Sequence, residues 1–197
     1  MHNEGYIKFD LQWDKKSVDF PEYLLSELND FRTRLFDLGL IGMYPDGIGF
    51  GNVSIRFGNN DQFIISGSAT GQLRKLTKEH FSLVTGFDIE KNTVICEGQI
   101  AASSESMSHA ALYKSTHNIN AVVHVHHKKL WENYLNNLPI TPKNAEYGTI
   151  EMASEIKKLA HVSEGIIIMG GHEEGIVSFG TNLGEATNRI IKLYNTL

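Results

Sequence analysis

Two histidines occupy alternate positions of an apolar segment, and their type and spacing could bind a metal ion. His124 and His126 alternate with Val123 and Val125 in the segment Val122–His126. Side chains at i and i+2 of a β-strand share one face, with Cα atoms about 6.5 Å apart, so both imidazoles can turn toward one ion. The valines would then fix the strand to the core. The pattern also fits a strand with a merely polar face, so a site requires a third ligand.

A third histidine, His172, lies in a glycine-rich turn between two apolar segments. The turn has the sequence Gly170-Gly171-His172-Glu173-Glu174-Gly175, and its glycines permit close approach and unusual dihedral angles. Three histidines leave a coordination position open, as in a catalytic rather than a structural zinc site. We interpret Glu173 and Glu174 as solvated acids of a surface hairpin, while a glutamate of this turn in place of His172 is the alternative third ligand.

A candidate acid follows two serines at the predicted start of a helix. Ser103 and Ser104 precede Glu105, and capping of the helix would explain such a cluster in most proteins. Free amides and two hydroxyls at a helix N-terminus also suit a phosphate group. His109 lies four residues after Glu105 on the same helical face, where it either supports the acid or simply packs.

Two further polar turns could contribute to the same anion site. The segments Gly49–Ser54 and Ser66–Gly71 offer small residues, an amide side chain and backbone N–H groups. Such turns are common and are weak signals alone. The sequence contains neither a Walker motif nor GxGxxG, so it does not indicate a nucleotide. The other five histidines, His2, His80, His117, His127 and His161, are predicted to be surface residues.

The elements that must position these residues alternate irregularly between strands and helices. Hydrophobic periodicity and turn residues predict strands over 6–11, 48–57, 62–65, 93–96, 120–126, 165–169 and 175–179, with a turn at Asn59-Asn60-Asp61. Helices are predicted over 21–38, 77–83, 103–116, 128–137, 148–160 and 181–194, with Thr77 and Thr181 as N-caps. This pattern indicates a layered α/β domain in which helices flank a mixed sheet.

Composition excludes several classes of protein. A net charge of −5 argues against a nucleic-acid binder with a broad basic face. The longest apolar run, Ile166–Met169, is too short for a membrane span, and the polar residues 1–4 do not resemble a signal peptide. A single cysteine, Cys96, fits a reducing cytoplasm. The length of 197 residues predicts a single domain over 1–197, in which 1–20 form an extension with a short strand.

Taken in order, these motifs resemble the class II aldolase/adducin family over about residues 24–194. The motifs are Gly51-Asn52-Val53-Ser54, Thr70-Gly71 followed by Lys75-Leu76-Thr77, Ser103-Ser104-Glu105, Ala121-Val122-Val123-His124-Val125-His126, and the His172 turn. The resemblance implies a three-layer α/β/α sandwich with a mostly antiparallel central sheet. It also implies a homotetramer with sites at subunit interfaces, and lyases, epimerases or dehydratases that act on sugar phosphates.

The resemblance also implies a role for each motif. His124, His126 and His172 would bind a divalent metal, most often Zn²⁺, with Mn²⁺, Fe²⁺ and Co²⁺ as alternatives. Glu105 would be the acid/base of an aldolase-type cleavage that passes through a metal-stabilised enediolate. A substrate phosphate would be held by Asn52, Thr70, Gly71, Ser103 and Ser104.

Three departures from the family pattern bear on these expectations. Glu173 and Glu174 intervene where the family has a glycine directly after its third histidine. The segment between His126 and His172 is shorter than in the aldolases, and neither Tyr134 nor Tyr147 stands out as the tyrosine that this region donates across the interface. The chain also stops where the aldolases continue into a tail that closes over the site.

Alternative functions stay open from the sequence. An epimerase or a dehydratase would use the same site, and a metalloenzyme of other chemistry, such as hydrolysis or oxygen activation, could use three histidines. A non-catalytic, adducin-like scaffold would need neither the histidines nor the acid.

Overall fold

A mixed β-sheet positions the residues singled out above. The computed structural model describes residues 6–58, 61–161 and 165–197, so His2 and the predicted turn residues Asn59 and Asn60 fall outside the described part. The strands are β1 (Asp10–Lys15), β2 (Gly42–Met43), β3 (Gly49–Phe50), β4 (Asn52–Arg56), β5 (Phe63–Ser66), β6 (Phe81–Asp88), β7 (Thr93–Gly98), β8 (Ala121–His126), β9 (Ile166–Ile168) and β10 (Gly175–Gly180). Eight of them form the main sheet, in the order β1-β7-β6-β5-β4-β8-β10-β9, while β2 and β3 pair separately. In the described part of the chain, β1 and β7 are parallel and the other neighbouring strands are antiparallel.

Helices cover both faces of the main sheet. They are α1 (Glu22–Asp37), α2 (Ser106–Ser115), α3 (Lys128–Tyr134), α4 (Ile150–Leu159) and α5 (Leu183–Tyr194). Apolar residues of α2 and α4 form one core with the sheet, and those of α1, α3 and α5 form the other. The predicted three-layer α/β/α architecture is therefore confirmed. Among the described residues, no helix combines the length and apolar character that a bilayer span requires.

Alternation along β8 determines which face carries the histidines. Val122 packs in the core beneath α2 and α4, whereas Val123 and Val125 pack in the opposite core. His124 and His126 lie on the Val122 face because successive side chains of a strand point to opposite sides. The prediction that the valines fix this strand to the core is confirmed.

The predicted helix over 77–83 is wrong. Thr77 caps only a short 3₁₀ turn, Lys78–His80, and the chain then enters β6 at Phe81. This strand fills the position between β5 and β7. Aromatic and branched side chains favour a strand with partners on both sides, and this pairing outweighs the local capping signal.

The predicted strand over 48–57 is divided at Gly51. Gly51 has a φ of +77°, and a Cβ there would lie 2.7 Å from Ile41 Cγ1. Only glycine adopts this conformation in so small a space without strain. The chain consequently changes direction, so that β3 pairs with β2 while β4 enters the main sheet.

Three predicted boundaries also shift. The first strand is β1, later than the predicted 6–11, because it pairs with β7 along its whole length. Helix α2 begins at Ser106, and the Ser103 hydroxyl instead accepts a hydrogen bond from the Glu105 N–H in the preceding turn. The cap of α5 is Asn182 rather than Thr181, since the Asn182 side chain accepts from Glu185 N–H.

Candidate metal centre

The two strand histidines are mounted at the centre of the sheet. β8 lies between β4 and β10, with His124 opposite Asn52 on one side and His126 opposite Gly175 on the other. Both imidazoles are buried, and their Nε2 atoms are 2.9 Å apart. Pairing with neighbours on both sides holds the two rings in place, which reduces the entropy lost when they gather around an ion.

His172 reaches the pair from the turn between β9 and β10. Its ring centroid is 5.1 Å from that of His124 and 4.7 Å from that of His126. Glycines make this approach possible, because a Cβ at Gly171 would lie 1.9 Å from the Ala145 carbonyl oxygen and one at Gly175 would lie 3.3 Å from His124 Cε1. The turn thus brings together the histidines that the sequence selected.

The three imidazoles fit one metal ion. One nitrogen from each ring can be chosen so that all three lie within 4.8 Å of one another. Two nitrogens bound to Zn²⁺ at tetrahedral angles are about 3.3 Å apart, close to the 2.9 Å between the Nε2 atoms of His124 and His126. Burial lowers the pKa of His124 to about 4, which keeps its imidazole in the neutral form that ligates metals.

The acids of the turn lie outside this group. Glu173 is exposed, as predicted, with its carboxylate 4.0 Å from Lys128 Nζ. Glu174 is only partly exposed, and its Oε2 accepts a 2.7 Å hydrogen bond from the Tyr44 hydroxyl. Of the three turn residues, it is His172 that joins the strand histidines.

Glu105 lies beside the histidines at the start of α2. Its side chain is buried, and Oε1 is 3.2 Å from His172 Nδ1. Burial alone would raise the pKa of Glu105, but the imidazoles of His172 and His124 and the Ser108 hydroxyl outweigh it and lower the pKa to about 2. The carboxylate is therefore in its ionised form at neutral pH.

His109 packs in the core, with a hydroxyl as its hydrogen-bond partner. Its Nδ1 lies 2.7 Å from the Ser54 hydroxyl, which in turn lies 2.7 Å from the Tyr113 hydroxyl. Burial lowers the pKa of His109 to about 3, so the imidazole is neutral. Of the two sequence interpretations, packing in the core describes this geometry.

All the candidate phosphate-binding residues line one cavity with the histidines and Glu105. They are Asn52, Thr70, Gly71, Ser103 and Ser104. The loop that carries Thr70 and Gly71 comes very close to other backbone, since a Cβ at Gly71 would lie 2.0 Å from the Gly42 carbonyl oxygen. The cavity lining includes neither lysine nor arginine among the described residues. An anion there would depend on hydroxyls, the Asn52 amide and backbone N–H groups.

A buried arginine supports the loop from behind. Arg32 of α1 is fully buried and donates hydrogen bonds to the carbonyl oxygens of Thr70, Leu73 and Arg74, at 2.8, 2.5 and 3.3 Å. Burial lowers the pKa of Arg32 to about 10, so it stays charged at neutral pH. Its fork of donors joins three carbonyls of one loop; the Thr70 and Arg74 oxygens also accept from Leu73 N–H and the Thr33 hydroxyl.

Sequence reasoning missed Tyr147 as a residue of this cavity. Its ring centroid lies 4.6 Å from that of His172, and Lys8 Nζ lies 4.0 Å from the Tyr147 centroid. Tyr134, the other tyrosine considered, instead has its hydroxyl 2.9 Å from that of Thr196. Tyr147 belongs to a loop between α3 and α4, and no periodic pattern marks its direction. Only its burial distinguishes it.

Comparison with known proteins finds a family whose sequence profile matches most of the chain. A profile of the class II aldolase and adducin N-terminal domain matches residues 45–197. The sequence matches none of the curated proteins with which it was compared.

Several solved structures share the fold. An L-fuculose 1-phosphate aldolase has a TM-score of 0.70 and 22% identity, over 90% of this chain and 84% of its own. The L-fuculose-1-phosphate aldolase from Thermus thermophilus has a TM-score of 0.66 and 22% identity, over 89% and 91%. YgbL from Klebsiella pneumoniae, with a suggested aldolase, epimerase or decarboxylase activity, has a TM-score of 0.67 and 21% identity, over 89% and 86%. At these identities the likeness is one of fold.

Proposed function

We propose that this chain, which belongs to the class II aldolase and adducin family, is a metal-dependent lyase of the aldolase type. Its substrate would be a small phosphorylated sugar or a related hydroxy-carbonyl compound. One observation carries the proposal: an ionised, buried carboxylate, Glu105, lies 3.2 Å from His172 in the cavity where three imidazoles converge. Both a metal ligand set and a proton acceptor are thereby available to one small substrate.

His124, His126 and His172 would hold the ion, with Zn²⁺ favoured by the nitrogen donors and Mn²⁺, Fe²⁺ or Co²⁺ as alternatives. A divalent metal held there would supply Lewis-acid polarisation of a carbonyl and the adjacent hydroxyl. Glu105 Oε1 or Oε2 would accept the proton that the substrate releases and return it to the product. Burial of Glu105 favours this role, because a proton held there is shielded from exchange with water.

The substrate phosphate would lie against the polar residues that line the same cavity as the histidines. Asn52, Ser103 and Ser104 would supply side-chain donors. The Thr70 hydroxyl donates to the Gly67 carbonyl oxygen, so Thr70, like Gly71, would contribute its backbone. Neutral donors can hold a phosphate when several converge, as at the N-terminus of a helix. A homotetramer with sites at its interfaces and a cytoplasmic location are further proposals from the family resemblance, and the molecular mass in solution tests the first.

The test is a metal-loaded assay on a panel of sugar phosphates and their unphosphorylated counterparts. We expect release of a carbonyl product that requires both the metal and the phosphate, and that is lost in Glu105→Gln but kept in the exposed-site control Glu173→Gln. Appearance of an epimer or loss of water would assign the site to an epimerase or a dehydratase instead. A protein that binds no metal and turns over no substrate would favour the adducin-like scaffold.

A further inference from the structure

Two residues outside the cavity chemistry described so far meet behind His126. Tyr44 follows β2, and its hydroxyl oxygen lies 3.0 Å from His126 Nδ1 and 2.7 Å from Glu174 Oε2. The other ring nitrogen of His126, Nε2, is the one that lies 2.9 Å from His124 Nε2. A continuous chain of polar contacts therefore runs from Glu174 through Tyr44 to the face of His126 that points away from the candidate ion.

Local structure holds both partners in place. The Tyr44 N–H donates to the Ile48 carbonyl oxygen at 2.8 Å, and its ring packs on Phe50 with centroids 4.5 Å apart. Glu174 adopts a φ of +69°, and its carbonyl oxygen accepts from the His127 N–H at 3.1 Å. A left-handed conformation costs a non-glycine residue about 1 kcal/mol or more.

The donors and acceptors of this chain can be ordered in only one direction. An ionised carboxylate accepts hydrogen bonds and donates none, so the Tyr44 O–H must donate to Glu174. The hydroxyl has no second hydrogen, and its oxygen can therefore only accept from His126, which requires the proton on Nδ1. A neutral imidazole with its proton on Nδ1 presents the lone pair of Nε2 toward His124 and His172. This is the tautomer that a metal ion needs.

We propose that Glu174 and Tyr44 are positioning residues, which fix His126 in its metal-binding tautomer and orientation. The proposal rests on the metal-binding role proposed above. A carboxylate–phenol–imidazole chain does in two steps what a carboxylate bonded directly to a ligating histidine does in one. It also gives a physical reason for the extra acid in the turn: Glu174 is separated from the ion by Tyr44 and His126, and it supports a ligand rather than replacing one.

The test measures metal affinity in Tyr44→Phe and Glu174→Gln, by competition of Zn²⁺ between the protein and a chromophoric chelator. We expect about 10- to 100-fold weaker binding in each variant, the usual cost of losing a partner of a ligating histidine. Glu173→Gln is the matched control for charge, because this neighbouring acid is exposed. Tyr134→Phe is the control for loss of a phenol whose hydroxyl bonds elsewhere. Both controls should bind Zn²⁺ like the wild type.

The double variant Tyr44→Phe/Glu174→Gln separates positioning from direct ligation. If Glu174 acts only through Tyr44, the double variant binds Zn²⁺ as weakly as Tyr44→Phe and no weaker. Additive losses would mean that Glu174 reaches the ion itself, and they would overturn the proposal. Substitution with Co²⁺ gives a second readout, since the d–d absorption bands of the bound ion should shift in both single variants and stay unchanged in both controls.

The outcomes also separate this proposal from the proposed function. A wild-type protein that binds no Zn²⁺ or Co²⁺ contradicts the metal-dependent function itself. The positioning role alone is contradicted if the wild type binds metal and both Tyr44→Phe and Glu174→Gln bind it equally well, with unchanged Co²⁺ spectra. Thermal unfolding of the metal-free variants checks that a weaker affinity does not come from loss of the fold.

Discussion

Two buried histidine clusters lie on the same face of the sheet, and only one has the geometry of a metal site. The first, called the metal cluster after its proposed role, consists of His124, His126 and His172. The core cluster consists of His109 with Ser54 and Tyr113, and Ser54 lies on β4 two residues from Asn52, the partner of His124 across the strands. Both clusters are buried: His109 and Tyr113 belong to α2, and Glu105, which precedes α2, adjoins the metal cluster.

Burial and a shifted pKa do not distinguish the clusters. Burial lowers the pKa of His109 to about 3 and that of His124 to about 4. The difference lies in where the nitrogens point. His109 Nδ1 is committed to Ser54, which is also bonded to Tyr113, whereas the strand histidines turn their Nε2 atoms toward each other beside an open cavity. Convergence of donors on an accessible space, rather than burial of a titratable group, identifies the candidate site.

The largest expected effect comes from removing one histidine of each cluster. His124→Ala should weaken Zn²⁺ binding by more than about 100-fold, beyond the cost of losing a supporting residue, because a ligand itself is lost. His109→Gln should retain wild-type affinity, since its ring nitrogens take no part in the convergent group. The metal content after dialysis, measured by elemental analysis, checks both. Equal metal loss in the two variants would erase the distinction between the clusters.

The next effect concerns the acid that adjoins the metal cluster. Glu105→Gln should lower the rate of cleavage by about 100- to 10,000-fold, because the amide cannot accept the proton. Zn²⁺ should still bind, since the three imidazoles are intact. Turnover and metal content measured on the same preparation test this combination. A variant that keeps most of its activity would remove Glu105 from the chemistry.

Much of the metal cluster could be predicted from the sequence because local rules determine it. Alternation within β8 places His124 and His126 on one face, and glycines on both sides of His172 permit its approach. Tyr44 and Tyr147 could not be found in this way. Each reaches the site from a loop, and Tyr44 meets partners 82 and 130 residues away in the chain. No periodicity within either loop records such contacts.

The same division between local and distant causes applies to the fold. The layered α/β class follows from the alternation of strand and helix patterns, and the cores on both faces confirm it. The error at 77–83 arose because Thr77 gives a true local cap, while β6 depends on pairing with β5 and β7. Strand order likewise depends on pairing between distant segments. β8 lies between β4 and β10, which are distant in sequence, and their pairing creates the site.

A smaller effect is expected for the wall of the cavity. Arg32→Met should lower the free energy of unfolding by about 3 kcal/mol, because the Leu73 carbonyl oxygen loses its donor and the buried Thr70 carbonyl oxygen loses one of two. Binding of the phosphorylated substrate should weaken while Zn²⁺ affinity stays unchanged, since the loop does not supply the metal ligands. Urea unfolding and the two binding assays test this. Arg32→Lys keeps the charge without the fork of donors, so its free energy of unfolding should lie between those of the wild type and Arg32→Met.

The smallest effect returns to the core cluster and concerns pH. The pKa of His109 is about 3 in the folded protein, against an ordinary value of 6.5. Between these values the imidazole is protonated in the unfolded chain and neutral in the folded protein. Stability is therefore full above pH 6.5 and is lost as the pH falls toward 3. In His109→Gln the free energy of unfolding should fall less steeply with decreasing pH. Between pH 6 and 4 its slope should be smaller than that of the wild type by about 1 kcal/mol per pH unit. Urea titrations in the presence of a metal chelator measure the two slopes, with the exposed-site variant His161→Gln as control. Parallel slopes for the wild type and His109→Gln would mean that His109 is protonated within the core. The core cluster would then not hold a neutral imidazole, and its contrast with the metal cluster would fail at this residue.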